Sequence, residues 1–242
     1  MLRLKVLTFD VNNTLIKVRN SVGQQYAQVA SHFAVKVNAD ELGKAYRALY
    51  KEQNKKRPNF GAESGITSEQ WWGEIVHKSF QQVGYTEENT LAKISAKLYE
   101  DYKHASSWHV FPEVKEMLKF LNKNGVCLGV ISNMDERLIP ILQETDLAQH
   151  FAFILPSIQA KCHKPDPKIF QQVLDRLRIP AADCAHIGDN IEKDYYGAKG
   201  VGMNAFVIDR DKTARQQHND IPKEQFLQDL TELETKIFQE IK

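Results

Sequence analysis

Two kinds of hydrophobic pattern alternate along this chain. Short apolar runs bounded by polar or turn-forming residues occur at Leu4 to Phe9 (LKVLTF), Val126 to Ile131 (VCLGVI), Phe151 to Leu155 (FAFIL) and Cys184 to Gly188 (CAHIG), with Asn204 to Ile208 (NAFVI) a weaker fifth. Runs of this length, apolar at successive positions, predict strands buried on both faces of a parallel sheet. Between them, VKEMLKFLNKNG, ERLIPILQETD and KIFQQVLDRLRI repeat apolar residues every three or four positions, the period of a helix with one buried face. Strand and helix in alternation predict an α/β fold built on a doubly wound parallel sheet. Residues 16–105 break the rhythm with helical periodicity and no convincing strand. Leu42, Ala45, Tyr46, Leu49 and Tyr50 share one face, Trp72, Val76, Phe80 and Val83 another, and Leu91, Ile94 and Leu98 a third. The expected division is therefore a core of residues 1–15 and 106–242 with an inserted all-helical cap over 16–105. After Ile208, DRDKTARQQHND reads as a loop, and Phe226, Leu230, Leu233, Ile237 and Ile241 are spaced for a terminal helix.

Composition narrows the possible partners. The 242 residues are 42% hydrophobic and 26% charged, enough for a large core with a smaller companion. With 32 Lys and Arg against 31 Asp and Glu the net charge is +1, too balanced for attraction to a phosphate backbone to dominate, so no nucleic-acid partner is expected. No apolar run approaches the roughly 18 residues of a membrane span, and the first strand begins too near Met1 for a signal peptide. No membrane partner is expected. Cys127, Cys162 and Cys184 lie far apart without a CxxC pair and read as reduced thiols. An intracellular location follows, cytoplasmic by default, with nucleus or mitochondrion open. Cys162 beside His163 lacks the second pair that a zinc site needs. The stretch KKRPNFG (Lys55 to Gly61) reads as a solvated loop, and Trp71 with Trp72 as cap core rather than a stacking platform.

In an open parallel sheet, ligands gather outside the carboxyl ends of the strands, which makes the polar residues after each apolar run the candidates. The first run ends in Asp10, followed by Asn12 and Thr14; the second in Ser132 and Asn133, with Glu136 three residues on as in a capping box. Lys164 stands before two prolines in KPDP, and Asp189 and Asp194 follow Gly188. Each has an ordinary explanation alone: a turn-forming Asp, a helix cap, a solvated Lys, exposed acids. Four chemically matched groups at successive strand ends fit one purpose better, since carboxylates bind Mg²⁺ and an ammonium with a hydroxyl binds phosphate.

In this order, Asp10, Ser132, Lys164 within KPDP, and Asp189 with Asp194 resemble the motif set of the haloacid dehalogenase superfamily of phosphohydrolases, which carries a helical cap after its first motif. The resemblance spans the whole chain and implies a Rossmann-like core, Mg²⁺ as cofactor and a small phosphorylated metabolite as partner. It assigns Asp10 as nucleophile forming an aspartyl-phosphate, and Lys164 as the group neutralising Asp10 and the phosphate. Ser132, Asn133 and the backbone there would bind the phosphoryl group. The metal would sit among Asp10, the Asn12 carbonyl, Asp189 and Asp194. One position departs from the pattern. Where most such phosphatases have a second Asp as proton carrier, this chain has Asn12, whose amide cannot exchange a proton near neutral pH. Three readings follow: a Mg²⁺-dependent hydrolase that is slow or substrate-restricted, a binding module that keeps the pocket without turnover, or a dehalogenase. The third is disfavoured, because Asp189 and Asp194 without a metal would repel Asp10.

Overall fold

A computed structural model describes residues 4–238 of the chain. The run LKVLTF becomes β1, Val6–Phe9, with all four residues buried. The other strands are β2 Ile16–Val18, β3 Trp108–Val110, β4 Cys127–Ser132, β5 Phe153–Pro156, β6 Cys184–Gly188, β7 Asn204–Ile208 and β8 Phe226–Leu227. Six of them form a parallel sheet in the order β5-β4-β1-β6-β7-β8, while β2 and β3 make a separate two-stranded ribbon. The chain goes from β1 outward through β4 to β5 on one side and through β6, β7 and β8 on the other. That reversal opens a crevice at the carboxyl ends of β4, β1 and β6, where the loops leave in opposite directions.

The chain divides into two compact units, one of Met1–Lys17, Val110–Asn133 and Asp146–Lys242, the other of Val18–His109 and Met134–Thr145. The first is the α/β sheet unit. Its helix Pro167–Leu177 starts with proline at a position where no amide hydrogen is needed, capped by the Asp166 side chain, and buries Ile169, Phe170, Val173 and Leu174 against the sheet. Phe226, read from sequence as the start of a terminal helix, instead pairs together with Leu227 in parallel with Val207 and Ile208 as a sixth strand, and the helix begins only at Glu232. Both side chains are buried there, which a solvent-facing first helical turn would not achieve. Ile241 lies outside the described residues. The expected loop after Ile208 contains a short helical turn, Ala214–Gln217, whose first amides donate to the Asp209 carboxylate.

The second unit is helical: α1 Val22–Ser31, α2 Ala39–Lys56, α3 Ser68–Gln82 and α4 Glu88–Asp101. Capping boxes start α1 (Ser21 with Gln24) and α3 (Thr67 with Gln70), each satisfying two amides that the first turn leaves without partners. Tyr26, Val29, Ala30, Leu42, Val76, Phe80, Leu91, Ile94 and Leu98 form its core. The face of α3 is rotated from the expected one, since Trp71 is wholly buried and Trp72 only partly. Nor is KKRPNFG a solvated loop. Lys55 and Lys56 finish α2, and Phe60 is buried with its ring edge-on to Trp71 at 5.3 Å.

Residues 134–145 also group with this unit rather than with the sheet unit, and local contacts explain why. Trp72 Nε1 donates to Asp135 at 2.6 Å, the Tyr99 and Ser68 hydroxyls both donate to Glu136, and the Arg137 guanidinium lies 4.3 Å from the centre of the Tyr99 ring. Arg137 is also bidentate to Asp135, at 2.9 and 2.6 Å. A buried guanidinium held this way keeps its charge, since burial works against it but the charge and hydrogen bonds of Asp135 prevail and raise its pKa. Among the described residues, no helix is long and apolar enough to cross a membrane.

Gly23 sets the spacing of α1 against α2, because a Cβ there would lie 2.0 Å from the Ala39 carbonyl oxygen and 2.8 Å from the Gly43 nitrogen. Alanine is favoured over glycine within a helix by about 1 kcal/mol, but backbone overpacking costs about 1–3 kcal/mol. Gly23→Ala is therefore expected to lower stability by up to about 2 kcal/mol, read as a lower urea midpoint at unchanged slope. A higher midpoint would contradict the packing described.

Candidate active site

Three adjacent strands, β4, β1 and β6, deliver Ser132, Asp10 and Asp189, while Lys164, expected at a strand end, comes from the turn between the helices Ser157–Ala160 and Pro167–Leu177. Asp10 follows β1, its amide donating to Ile187 O at 2.8 Å, so the β1–β6 pairing continues to the point where the carboxylate leaves the sheet. Its Oδ1 accepts from Ser132 Oγ at 3.0 Å and from Lys164 Nζ at 2.7 Å. Among the described residues no donor reaches Oδ2. One carboxylate oxygen is thus fixed by the protein and the other is left for chemistry.

Lys164 is 2% exposed, and its ammonium donates to Asp10 Oδ1 at 2.7 Å and the Ile131 carbonyl at 2.8 Å and pairs with Asp194 Oδ1 at 2.6 Å. Burial works against its charge, but Asp10 and Asp194 outweigh burial and raise its pKa. Asn133 holds the residue from behind. Its amide accepts from Lys164 N and donates to Lys164 O, both at 2.8 Å. The Asn133 side chain is thus spent on the main chain of Lys164, and its expected role toward the phosphoryl group falls to its backbone amide. The expected capping box is also absent. Glu136 receives the Ser68 and Tyr99 hydroxyls, and the helix begins at Leu138 without a side-chain cap.

Asp189 and Asp194 follow β6 on either side of a sharp change in backbone. Residues Ile191–Tyr196 form a π-helical turn, in which the Tyr195 amide reaches back to Asn190 O. This widened turn, of a kind found often at functional sites, swings Asp194 back against the end of β6. Gly188 makes the approach possible, as a Cβ there would lie 2.2 Å from Asp194 Cγ. Asp194 accepts from Asn190 N through Oδ2 at 2.9 Å, while Oδ1 meets both Lys164 and His186. Burial pushes this carboxyl up, but Lys164 and His186 prevail and hold it well below the usual carboxylate range. Among the described residues Asp189 has only a long hydrogen bond from Asn13, 3.4 Å, and burial followed by repulsion from Asp10 and Asp194 raises it to about 7. Asp10 is raised as well, first by burial, with Lys164 opposing.

One oxygen from each of Asp10, Asp189 and Asp194 lies within 4.8 Å of the others. Asn12 is exposed and joins a single parallel bridge to Ile16. The loop it belongs to is anchored by Arg210, which donates to the Thr14 carbonyl at 2.9 Å, pairs with Glu113 at 2.8 Å and covers the Phe111 ring at 3.5 Å.

Four residues of this neighbourhood escaped the sequence reading: Thr8, Asn13, His186 and Arg210. His186 and Thr8 lie inside apolar runs and read as core. The signal that could have found them is the two-residue period of a strand, which places Thr8 on the side of β1 that Asp10 continues and His186 on the side of β6 shared with Gly188. Asn13 takes a left-handed φ of 61°, as a tight loop after a strand requires.

Compared with known proteins, residues 4–202 match the haloacid dehalogenase-like hydrolase family. The chain belongs to that family. SEQWW (Ser68 to Trp72) and the DVNNT loop point within it to the haloacid dehalogenase-like hydrolase domain-containing protein 3 group. The protein of that name from Bos taurus is 39% identical over 96% of this chain and 93% of its own length. Among solved structures, a dehalogenase with an intermediate complex superposes with a TM-score of 0.73 at 21% identity, covering 98% of each chain. A putative family hydrolase from Bacillus subtilis bound to magnesium gives 0.71 at 18% identity, covering 97% of this chain and 99% of its own. At these identities the two structures establish the fold. Hydrolase family and α/β fold are thereby fixed, and the roles of individual residues rest on the geometry.

The raised Asp189 carboxyl has a consequence for the metal-free chain. Between 3.8 and about 7 the folded form holds a proton that the unfolded form has lost, so stability falls as pH rises through that window. Asp194, held low, acts in the opposite sense only as pH falls below 3.8, and His186, lowered by burial and Lys164, opposes below 6.5. Asp189→Asn isolates the effect. With chelator present, the variant should melt above the wild type near pH 8, and the gap should close as pH approaches about 4. Parallel melting curves across that range would contradict the assigned environment.

Proposed function

We propose that the chain is a Mg²⁺-dependent phosphohydrolase that cleaves a phosphate ester of a small metabolite through an aspartyl-phosphate at Asp10, with turnover held down by Asn12. The observation that carries this reading is the convergence of the Asp10, Asp189 and Asp194 oxygens within 4.8 Å, with Lys164 bonded to two of the three carboxylates. Three carboxylates against one ammonium leave negative charge uncompensated in a buried place, and hard oxygen donors suit Mg²⁺. The donor set therefore fits the ion. Asp10 and Asp189 would hold it, with the Asn12 main-chain carbonyl, while Asp194, whose oxygens already serve Lys164, His186 and the Asn190 amide, would orient the group from behind. When bound, Mg²⁺ screens the nucleophile from the phosphoryl charge.

The chain's own residues then divide the work. Ser132 and Lys164 hold Oδ1 of Asp10, so that Oδ2 is the oxygen to attack phosphorus. As the P–Oδ2 bond forms, the bond to the ester oxygen breaks and negative charge spreads over the phosphoryl oxygens. Lys164 opposes that charge from a fixed position and needs no reorganisation to do so. The departing oxygen has no carboxyl at position 12 to protonate it. General acid and base assistance is typically worth about 10²–10⁴ in rate, so substrates with good leaving groups are favoured.

Hydrolysis of an aryl phosphate by the full chain tests this. With Mg²⁺ the wild type should turn over slowly, chelator should stop it, Asp10→Asn should be inactive, and Asn12→Asp should gain on the order of 10². The exposed amide at Asn12 also favours a second reading, a binding module that retains Mg²⁺ and phosphate without turnover. That reading prevails if no variant turns over while Mg²⁺ and a phosphate analogue still bind. Failure to bind Mg²⁺ at millimolar concentration would remove both.

A further inference from the structure

His186 is wholly buried in β6, directly beside Thr8 of β1 in the parallel register. Its Nδ1 lies 2.8 Å from Thr8 Oγ1; its Nε2 lies 3.2 Å from Asp194 Oδ1 and 3.4 Å from Lys164 Nζ. The edge of the ring rests at right angles against Phe170, 5.3 Å between centres. Counting protons decides how these contacts work. Lys164 has three ammonium hydrogens and three oxygens closer than the imidazole, Asp194 in an ion pair at 2.6 Å and Asp10 and Ile131 as hydrogen-bond acceptors. No hydrogen is left for Nε2. A bare Nε2 lone pair would then face the Asp194 carboxylate, acceptor against acceptor, with both side chains buried. Nε2 must carry a hydrogen and donate it to Asp194. Thr8 has one hydroxyl hydrogen and two neighbours, Nδ1 at 2.8 Å and the Ala185 carbonyl at 3.3 Å. The shorter contact takes it, leaving Nδ1 an acceptor.

We propose that His186 is a positioning residue for the reaction at Asp10: Thr8 fixes its imidazole with the hydrogen on Nε2, and that hydrogen pins the Asp194 carboxylate, which in turn holds Lys164 against the nucleophile. The chain of contacts runs Thr8, His186, Asp194, Lys164, Asp10, across two neighbouring strands and the π-helical turn. Without the imidazole donor, Asp194 Oδ1 would keep only Lys164, and the ammonium would lose its fixed direction toward Asp10. Orienting partners of this kind typically change activity by about 10–100-fold. The kinetic part of this inference rests on the phosphohydrolase reading above; the proton position does not.

The test joins a spectroscopic and a kinetic measurement on the full chain. In a ¹⁵N-labelled sample, the His186 resonances, identified by their loss in His186→Gln, should show a hydrogen on Nε2 and an unprotonated, hydrogen-bonded Nδ1. In Thr8→Val, which keeps the side-chain shape, the Nδ1 resonance should move. With an aryl phosphate, His186→Leu should lower kcat about 10–100-fold with little change in KM. His186→Gln, whose amide can donate from near the Nε2 position, should regain most of that loss. A hydrogen on Nδ1, alone or with one on Nε2, overturns the proposal, as does a Leu variant with undiminished kcat. A wild-type chain without turnover would instead overturn the phosphohydrolase reading, and the nitrogen shifts would still decide the tautomer.

Discussion

The sheet unit is organised around an electrostatic conflict. Asp10, Asp189 and Asp194 bring their oxygens within 4.8 Å of one another, and Lys164 is the ammonium that binds two of them. Buried like charges at this spacing repel strongly, and one cation does not offset three anions. The three carboxylates are driven in different directions, and burial raises Asp10 even though it meets Lys164. Asp194, bonded to Lys164 and His186, is held low, while Asp189 is pushed up to about 7. A scaffold that tolerates such a cluster must hold it rigidly, since any slack would let the acids separate or protonate.

Rigidity comes from several independent devices. The β1–β6 pairing continues through the Asp10 amide, so the nucleophile leaves from an ordered strand end. Asn133 closes two hydrogen bonds on the main chain of Lys164, aiming an otherwise flexible side chain. Glycine at position 188 lets the π-helical turn bring Asp194 against the sheet, and Arg210 anchors the loop that carries Asn12 and Asn13. Each device acts on backbone or on a single partner, which is how a site keeps its geometry while its charges pull against it.

The helical unit solves a different problem with related means. Its aromatic side chains pack face and edge around Trp71 and Trp72, and Arg137 enters that group as a charge, neutralised by Asp135 and covered by Tyr99 and Trp72. The arginine ties residues 134–137 to the helices. Small residues act in the opposite way: Gly23 lets α1 and α2 approach until backbone meets backbone. Caps at Ser21, Asn38, Thr67 and Glu87 define where each helix begins.

Much of this was written locally in the chain. Continuous apolar runs gave five strands of the sheet, and helical spacing gave the inserted helical segment, because burial on two faces or one leaves a period that neighbouring residues reveal. The polar residues that follow the apolar runs, Asp10, Ser132, Lys164, Asp189 and Asp194, were visible for the same reason, although Lys164 stands in a turn between two helices and Asp194 in the π-helical turn. The sixth strand was not, since two buried residues, Phe226 and Leu227, carry no period of their own and pair only because β7 is there. The use of Asn133 as a clamp on Lys164, the place of Arg137 among the aromatics and the partnership of Thr8 with His186 depend on residues brought together from distant parts of the chain. Sequence alone determined which groups the strands present and in what order. Tertiary structure decided which hydrogen bond each group makes, because a donor or acceptor takes its role from the partner that folding places beside it.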